Sequence, residues 1–547
     1  MPLIIGALIA ILGLGAVGVF AYRSFKAVGV FAYRSFKTVS QASAEAMPPD
    51  TIIYASLDII NLFEPTTLRR FNDAFEDQLN DVTAGSPEDI KGQLDENLAE
   101  FGMTFEEDIQ PWIGRSIGLG VLSIRDGGSS GEAVIAAEIR DEKEADAFLE
   151  RFAAENDTTA AEYNNVAYMI ENDISGGTLI LGRSDSLMLI GSNVASFERA
   201  VDAQNGRSLA DVAAYQEMVA LLSEGRTITL MIPKDGIQSA LDFARRAGNS
   251  TTALSTNYLE EAGIDSLRAM ALTLDITDKG FVIDYTTLLD PDNMSESMQA
   301  TIENYKSFEG TQSANLPTYS VVYIGSYGIG KMWDFFQQAI TANVSPEDFE
   351  DAMTLAEETL GFSIEDELMP QLSGELAIAI VEDEQSVLAD QSGVGVGFVL
   401  LNGVADSAEM SRLTDQFSSS LEDQGMTVST ENGISSVGIF ESPIASFAVV
   451  NDNFSIASSA ALISEQGNGS TLNDNALFQE AKNALPDDMQ LFGFVDMQTL
   501  AELAAQTGED VSQFVALAEQ IPVITIGATM DETSSLTRII LVTQDQP

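Results

Sequence analysis

The sequence predicts an α+β protein made of two tandem, homologous units of antiparallel sheet plus helices, preceded by one transmembrane helix. Three observations carry this expectation. The stretch Ser86 to Arg115 returns 259 residues later, without a gap, as Ser345 to Gly374. Strand-like and helix-like runs follow each copy in the same succession. The chain also opens with an uncharged apolar stretch, Pro2 to Tyr22, of the length that crosses a bilayer as a helix.

The two copies share seven identities in thirty positions: Ser-Pro-Glu-Asp at the start, then Gly102/Gly361, Glu106/Glu365 and Pro111/Pro370. Serine is an N-cap, proline suits the first helical position, and two acids in the first turn face the positive end of the helix dipole. The glycine can take the left-handed conformation that stops the helix. A short acidic turn and the proline then lead into a strand.

Residues 1–40 are read as a transmembrane anchor with a duplicated juxtamembrane segment, since Ala16 to Lys26 (AVGVFAYRSFK) is repeated letter for letter as Ala27 to Lys37. A cleaved signal peptide is the competing reading. Ala42-Ser43-Ala44 and Ala44-Glu45-Ala46 resemble cleavage sites, but they lie far from the apolar run and no basic region precedes it. Arg23, Lys26, Arg34 and Lys37 follow the span, which by itself favours a cytoplasmic domain. The acidic, cysteine-free remainder favours the outside, and an extracytoplasmic domain is the expectation.

Residues 41–46 are assigned as a linker, 47–290 as the first α+β unit, 291–314 as a connector and 315–547 as the second unit. Each unit opens with an apolar strand (Pro49 to Asp58; Ser320 to Ile324) followed by a helix with Leu68, Phe71, Phe75 and Leu79, or Ile329, Trp333, Phe336 and Ile340, on one face. After the repeated stretch come two strands (Ser116 to Ile124 and Glu132 to Ile139; Glu375 to Glu382 and Gly395 to Leu401). A helix (Glu142 to Ala154; Ser407 to Glu422) precedes a meander of short strands (Ala167 to Ile190; Ile434 to Ala457). Further helices and a closing hairpin complete each unit, Leu267 to Leu288 and Val523 to Thr543.

Composition restricts function. The formal net charge is −58, and beyond Ala46 22 basic residues face 83 acidic ones, a surface that repels nucleic acid. There is no cysteine and no histidine, which removes disulfides, thiolate nucleophiles and the commonest general base and metal ligand. Glu106-Glu107-Asp108 and Glu365-Asp366-Glu367 read as solvated acidic turns, and Asp290 to Glu296 has Met at the fifth position of a calcium loop and no glycine at the sixth. No catalytic, cofactor-binding or metal-binding residues are assigned, and no cofactor is expected.

Met47-Pro48-Pro49-Asp50-Thr51 before a strand, and Phe105 to Gly114 (FEEDIQPWIG) before another, resemble the bacterial domain-of-unknown-function family numbered 3352. The resemblance implies a membrane-anchored protein with a large extracytoplasmic domain, and it supplies no catalytic residues. In the second unit Gln371-Leu372-Ser373 replaces Trp112-Ile113-Gly114, so any role of Trp112 belongs to the first unit alone.

The expected function is therefore that of a membrane-anchored, extracytoplasmic, non-enzymatic structural or binding protein of the cell envelope. It would be held by residues 2–22 and meet a protein or envelope-polymer partner. The alternatives are an accessory subunit of a membrane protein complex and a carboxylate-based glycan hydrolase.

Overall fold

A computed structural model describes residues 41–58, 103–124, 131–174, 177–222, 226–247, 264–277, 279–305, 308–341, 344–383, 386, 389, 394–439, 442–486, 489–507 and 510–543. The expected transmembrane helix, the duplicated segment and the helix after Ser86 lie outside these residues. Among the described residues no helix is long and apolar enough to cross a membrane. The chain divides into two compact units, residues 1–253 with 266–290, and residues 254–265 with 291–547. Helices and antiparallel strands make each of them α+β.

Unit 1 contains helix α1 (Gln41–Glu45) and strands β1 (Ile53–Asp58), β2 (Ile113–Ser123), β3 (Glu132–Ile139), β4 (Thr158–Tyr163), β5 (Val166–Ile174), β6 (Gly177–Ser184), β7 (Leu187–Gly191), β8 (Ile228–Pro233), β9 (Leu267–Thr277) and β10 (Gly280–Leu289). Pairing runs β4-β5-β6-β7-β3-β2-β1-β8-β9-β10, antiparallel throughout. Helix α2 (Glu142–Glu155) starts on Asp141, whose carboxylate accepts the Lys143 and Glu144 amides, and it buries Ala145, Phe148 and Phe152. Helices α3 (Val194–Asn205) and α4 (Ala213–Leu221) cover one face of the sheet, where Val134, Phe197, Val201, Met218, Met231 and Leu288 form the core. Helix α5 (Lys234–Ala247) follows β8.

In unit 2, helix α6 (Glu296–Tyr305) precedes β11 (Ser320–Tyr327), helix α7 (Ile329–Thr341), helix α8 (Pro346–Leu360), β12 (Glu375–Glu382) and β13 (Val396–Gly403). Helix α9 (Ser407–Asp423) leads to β14 (Thr427–Glu431), β15 (Ile434–Ile439), β16 (Ser442–Val450) and β17 (Asn453–Ala457). Helices α10 (Ala460–Ser464) and α11 (Ala476–Asn483), β18 (Leu491–Asp496), helices α12 (Met497–Ala505) and α13 (Ser512–Gln520), β19 (Val523–Met530) and β20 (Ser534–Val542) complete it. Pairing runs β14-β15-β16-β17-β13-β12-β11-β18-β19-β20, again antiparallel. This is the strand order of unit 1 read ten strands on.

Helix α8 forms as its local signals dictate. Ser345 caps it by accepting the Asp348 amide, Pro346 begins it, and Gly361 ends it at φ 81°. The acidic turns that follow each copy of the repeat are single π-helical turns, Phe105–Ile109 and Ile364–Leu368. The first meander strand of each unit, β4 and β14, is missing from the sequence reading. Both are largely exposed, so no apolar alternation marks them, and each turns into the next strand through two residues with positive φ, Asn164-Asn165 and Asn432-Gly433.

Two boundaries need correction. Residues 41–46 are not a linker: they form α1 and its exit, with Ser43, Ala44 and Ala46 fully buried, because small side chains let this backbone lie against the sheet. Residues 291–314 are not a free connector but part of unit 2. Ile302 of α6 is buried against its core, and the Glu375 carboxylate accepts the amides of Glu309, Gly310 and Thr311 at 2.5, 2.9 and 2.7 Å and the Thr311 hydroxyl at 2.7 Å. Gly310 at φ 71° gives these three amides a common direction.

Candidate functional site

The most unusual local construction is the strap that leads into each unit. In unit 1, α1 crosses the centre of β2 above two glycines. A Cβ on Gly118 would meet the Ser43 side chain at 2.6 Å, and one on Gly120 would meet the Met47 sulfur. The Ser43 and Tyr54 hydroxyls are hydrogen-bonded at 2.8 Å, and the Met47 carbonyl accepts the Leu209 amide at 2.8 Å. Thr51 then closes a turn on the Pro48 carbonyl, through its amide at 3.1 Å and its hydroxyl at 2.6 Å.

Unit 2 repeats these contacts with other residues. A 3-10 turn, Gln312–Asn315, replaces α1, and the Leu316 carbonyl accepts the Leu472 amide at 2.8 Å. Ser320 closes its turn on the Pro317 carbonyl, by amide at 3.1 Å and hydroxyl at 2.8 Å. Leu209 and Leu472 themselves open 3-10 turns with matching capping boxes, Ser208 with Asp211 and Thr471 with Asp474. The Pro-Asp-Thr sequence before β1 is thus a turn that hands the strap to the sheet.

A buried polar row in unit 1 starts beside the strap, at Ser56 opposite Gly118, and runs away from it. Ser56 on β1 stands opposite Thr229 on β8, Thr229 opposite Thr273 on β9, and Thr273 opposite Asp284 on β10, all of them buried. The hydroxyls of Ser56, Ser116, Thr229, Thr286 and Tyr215 make no hydrogen bond of ordinary geometry. That is internal hydrogen-bonding demand of the kind ordered water meets in proteins. Tyr215 sets its ring edge on Tyr54 at 5.9 Å. Burial pushes the Tyr54 phenol up to about 12, against the opposing pull of the Ser43, Ser56 and Tyr215 hydroxyls. Burial raises Tyr215 as well, with Tyr54 adding to the rise and Arg226 opposing it.

The same register in unit 2 carries no hydroxyl, and it ends on an arginine where unit 1 ends on a carboxylate. Gly325, Phe492, Gly527 and Arg538 stand where Ser56, Thr229, Thr273 and Asp284 stand in unit 1. Tyr323, Phe478, Phe492 and Phe494 form a cluster with ring centroids 5.2 to 5.7 Å apart.

Each acidic turn caps its own backbone. The Asp108 carboxylate accepts the Thr104 amide at 2.8 Å and pairs with Arg151, and Glu367 accepts the Ser363 amide at 3.0 Å and pairs with Arg412. Those two contacts hold the Glu367 carboxyl below its usual range, the Ser363 amide foremost. Trp112 is a core residue: its indole N–H donates to the Asp108 carbonyl at 2.7 Å and its ring meets Phe148 at 5.4 Å. Asp290 to Glu296 includes an exposed 3-10 turn, Pro291–Asn293, and among the described residues no three acidic side chains converge as a metal site.

Sequence reasoning missed the strap and the polar row. The one legible trace of the strap was the small-residue run Ala42 to Ala46, which also suits a processing site. Compared with known proteins, the chain matches the family model for proteins of unknown function (DUF3352) over residues 3–543. No curated protein matches it. Among solved structures, crystal form IV of TP0453 is similar at a TM-score of 0.26 and 11% identity, over 46% of this chain and 81% of that chain. Crystal form III of TP0453 gives a TM-score of 0.26 at 10% identity over 49% and 86%. A likeness of that size carries no argument about fold or function.

Proposed function

The chain belongs to the DUF3352 family of proteins of unknown function, and on that premise we propose that it is a membrane-tethered, extracytoplasmic, non-enzymatic structural or binding protein of the cell envelope, built from two tandem homologous α+β units. The observation that carries this reading is the strap. The residues that follow the apolar and basic N-terminus are built into unit 1 rather than left as a loose leader. An apolar stretch of bilayer length joined to so firm a seat suits a tether. The identical ten-strand order and the recurring strap support duplication of one ancestral unit. The acidic, cysteine-free surface and the absence of histidine support a binding or spacing role outside the cytoplasm.

Fractionation and protease shaving of cells making the full chain test the reading. The chain should sediment with membranes and resist carbonate extraction, and removing residues 2–22 should release it. External protease should digest both units in spheroplasts. Protection there, with digestion after permeabilisation, would overturn the orientation.

A further inference from the structure

We infer that residues 41–47 are a permanent structural element of unit 1, so that the two Ala-x-Ala sequences within them are not processing sites and the apolar N-terminus stays covalently attached. The inference rests on the tether reading above and settles its chemistry: an uncleaved signal anchor.

Cleavage after Ala44 or Ala46 would remove Ser43 and Ala44, and in the second case Ala46 too, all three fully buried. It would take away the hydroxyl that pairs with Tyr54 and uncover Gly118, which Ser43 covers. Glycine at both positions makes sense only with the strap in place, because each touches a strap side chain where its own Cβ would otherwise be. Unit 2 argues the same from inside the chain. Its strap, Gln312 to Leu316, is seated by the same backbone bond to a capped 3-10 turn, yet nothing about its position has to do with export. The strap position therefore answers to packing, since unit 2 buries Gln312, Ser313 and Leu316 there as unit 1 buries Ser43, Ala44 and Ala46. The combination that mimics a peptidase site in unit 1 is a by-product of the seat.

The test is the N-terminus of a C-terminally tagged full chain, isolated separately from membrane and soluble fractions and read by intact mass. A mass that retains residues 2–46 is expected. A chain beginning at Glu45 or Met47, whichever fraction holds it, overturns the inference, while an intact chain in the soluble fraction overturns the tether reading alone. A second measurement is limited proteolysis of wild type and Gly118→Val, whose side chain displaces Ser43. The variant should be cut within residues 41–47 many-fold faster than wild type, and equal rates would overturn the seat.

Discussion

The two units put the same strand order to opposite uses of one sheet face. Unit 1 lines the row through Ser56 and Thr229 with hydroxyls and ends it on the buried carboxylate of Asp284, while unit 2 fills it with Phe492 and the rings around Phe478. The opposite faces differ in the other sense. Leu119 and Ile135 of unit 1 are buried at 2% and 3%, whereas Ile378, at the register position of Leu119, is 39% exposed, and its partner Ile324 is 44% exposed. A fold of this kind is evidently set by strand order, straps and turns. The chemistry of a given row is free to diverge once pairing is secure.

If the rings of unit 2 are its main cohesive element, Phe478→Ala should be the most damaging of the substitutions considered. The ring is fully buried and touches Tyr323, Phe492 and Phe494. A loss of about 4 kcal/mol is expected from transfer and cavity effects together. Denaturant unfolding followed by tyrosine and tryptophan fluorescence would show it, and a loss below about 1 kcal/mol would mean that the cluster is not what holds unit 2 together.

The outer faces give the next largest effect. Leu119→Ala should cost about 3 kcal/mol, and Ile378→Ala at the same register position about 1 kcal/mol, because the first side chain leaves a cavity and the second is already partly in water. Equal losses would show that the face of unit 2 is covered in solution.

How much of this was legible in the sequence depends on how far apart the partners lie. Helix α8 was read residue by residue, since Ser345, Pro346 and Gly361 each act on their own backbone. The closing hairpins and most strands were legible from alternation and turn chemistry. The strap was not, because its burial depends on Gly118 and Gly120, which are more than seventy residues away, and nothing local separates a packed Ala-Ser-Ala from a cleavable one. The polar row was hidden for a related reason: Ser56, Thr229, Thr273 and Asp284 become neighbours only through three strand registers. Trp112 stood out as the residue distinguishing the two copies, yet its indole serves the core and a π-helical turn.

Alkaline pH should separate the two halves of the polar face. Tyr54 ionises near pH 10 in the unfolded chain, but burial holds it protonated to about 12 in the folded one. Above pH 10 the folded state therefore binds more protons than the unfolded state, and stability falls as pH rises between those limits. The share due to Tyr54 reaches roughly 2 to 3 kcal/mol at the upper limit. Denaturation midpoints of wild type and Tyr54→Phe, measured from pH 8 to 12, should converge as pH rises. Parallel curves would mean that the phenol is open to solvent.

The smallest effect tests the polar row itself. Thr229→Val keeps the shape of the side chain and removes a buried hydroxyl that has no hydrogen-bond partner of ordinary geometry. If that hydroxyl is unsatisfied in solution, the variant should be as stable as wild type or more stable by up to about 1 kcal/mol, since the desolvation cost goes with the oxygen. A loss of about 1 kcal/mol or more would show that the hydroxyl is satisfied, most simply by an internal water bridging Ser56 and Thr229. Thr525→Val in unit 2 is the control, because that hydroxyl is also buried without a partner but stands opposite Phe494, among rings rather than along a polar row. A cost confined to Thr229 would make hydration a property of unit 1, and gains at both sites would leave the polar row as divergence that the fold merely tolerates.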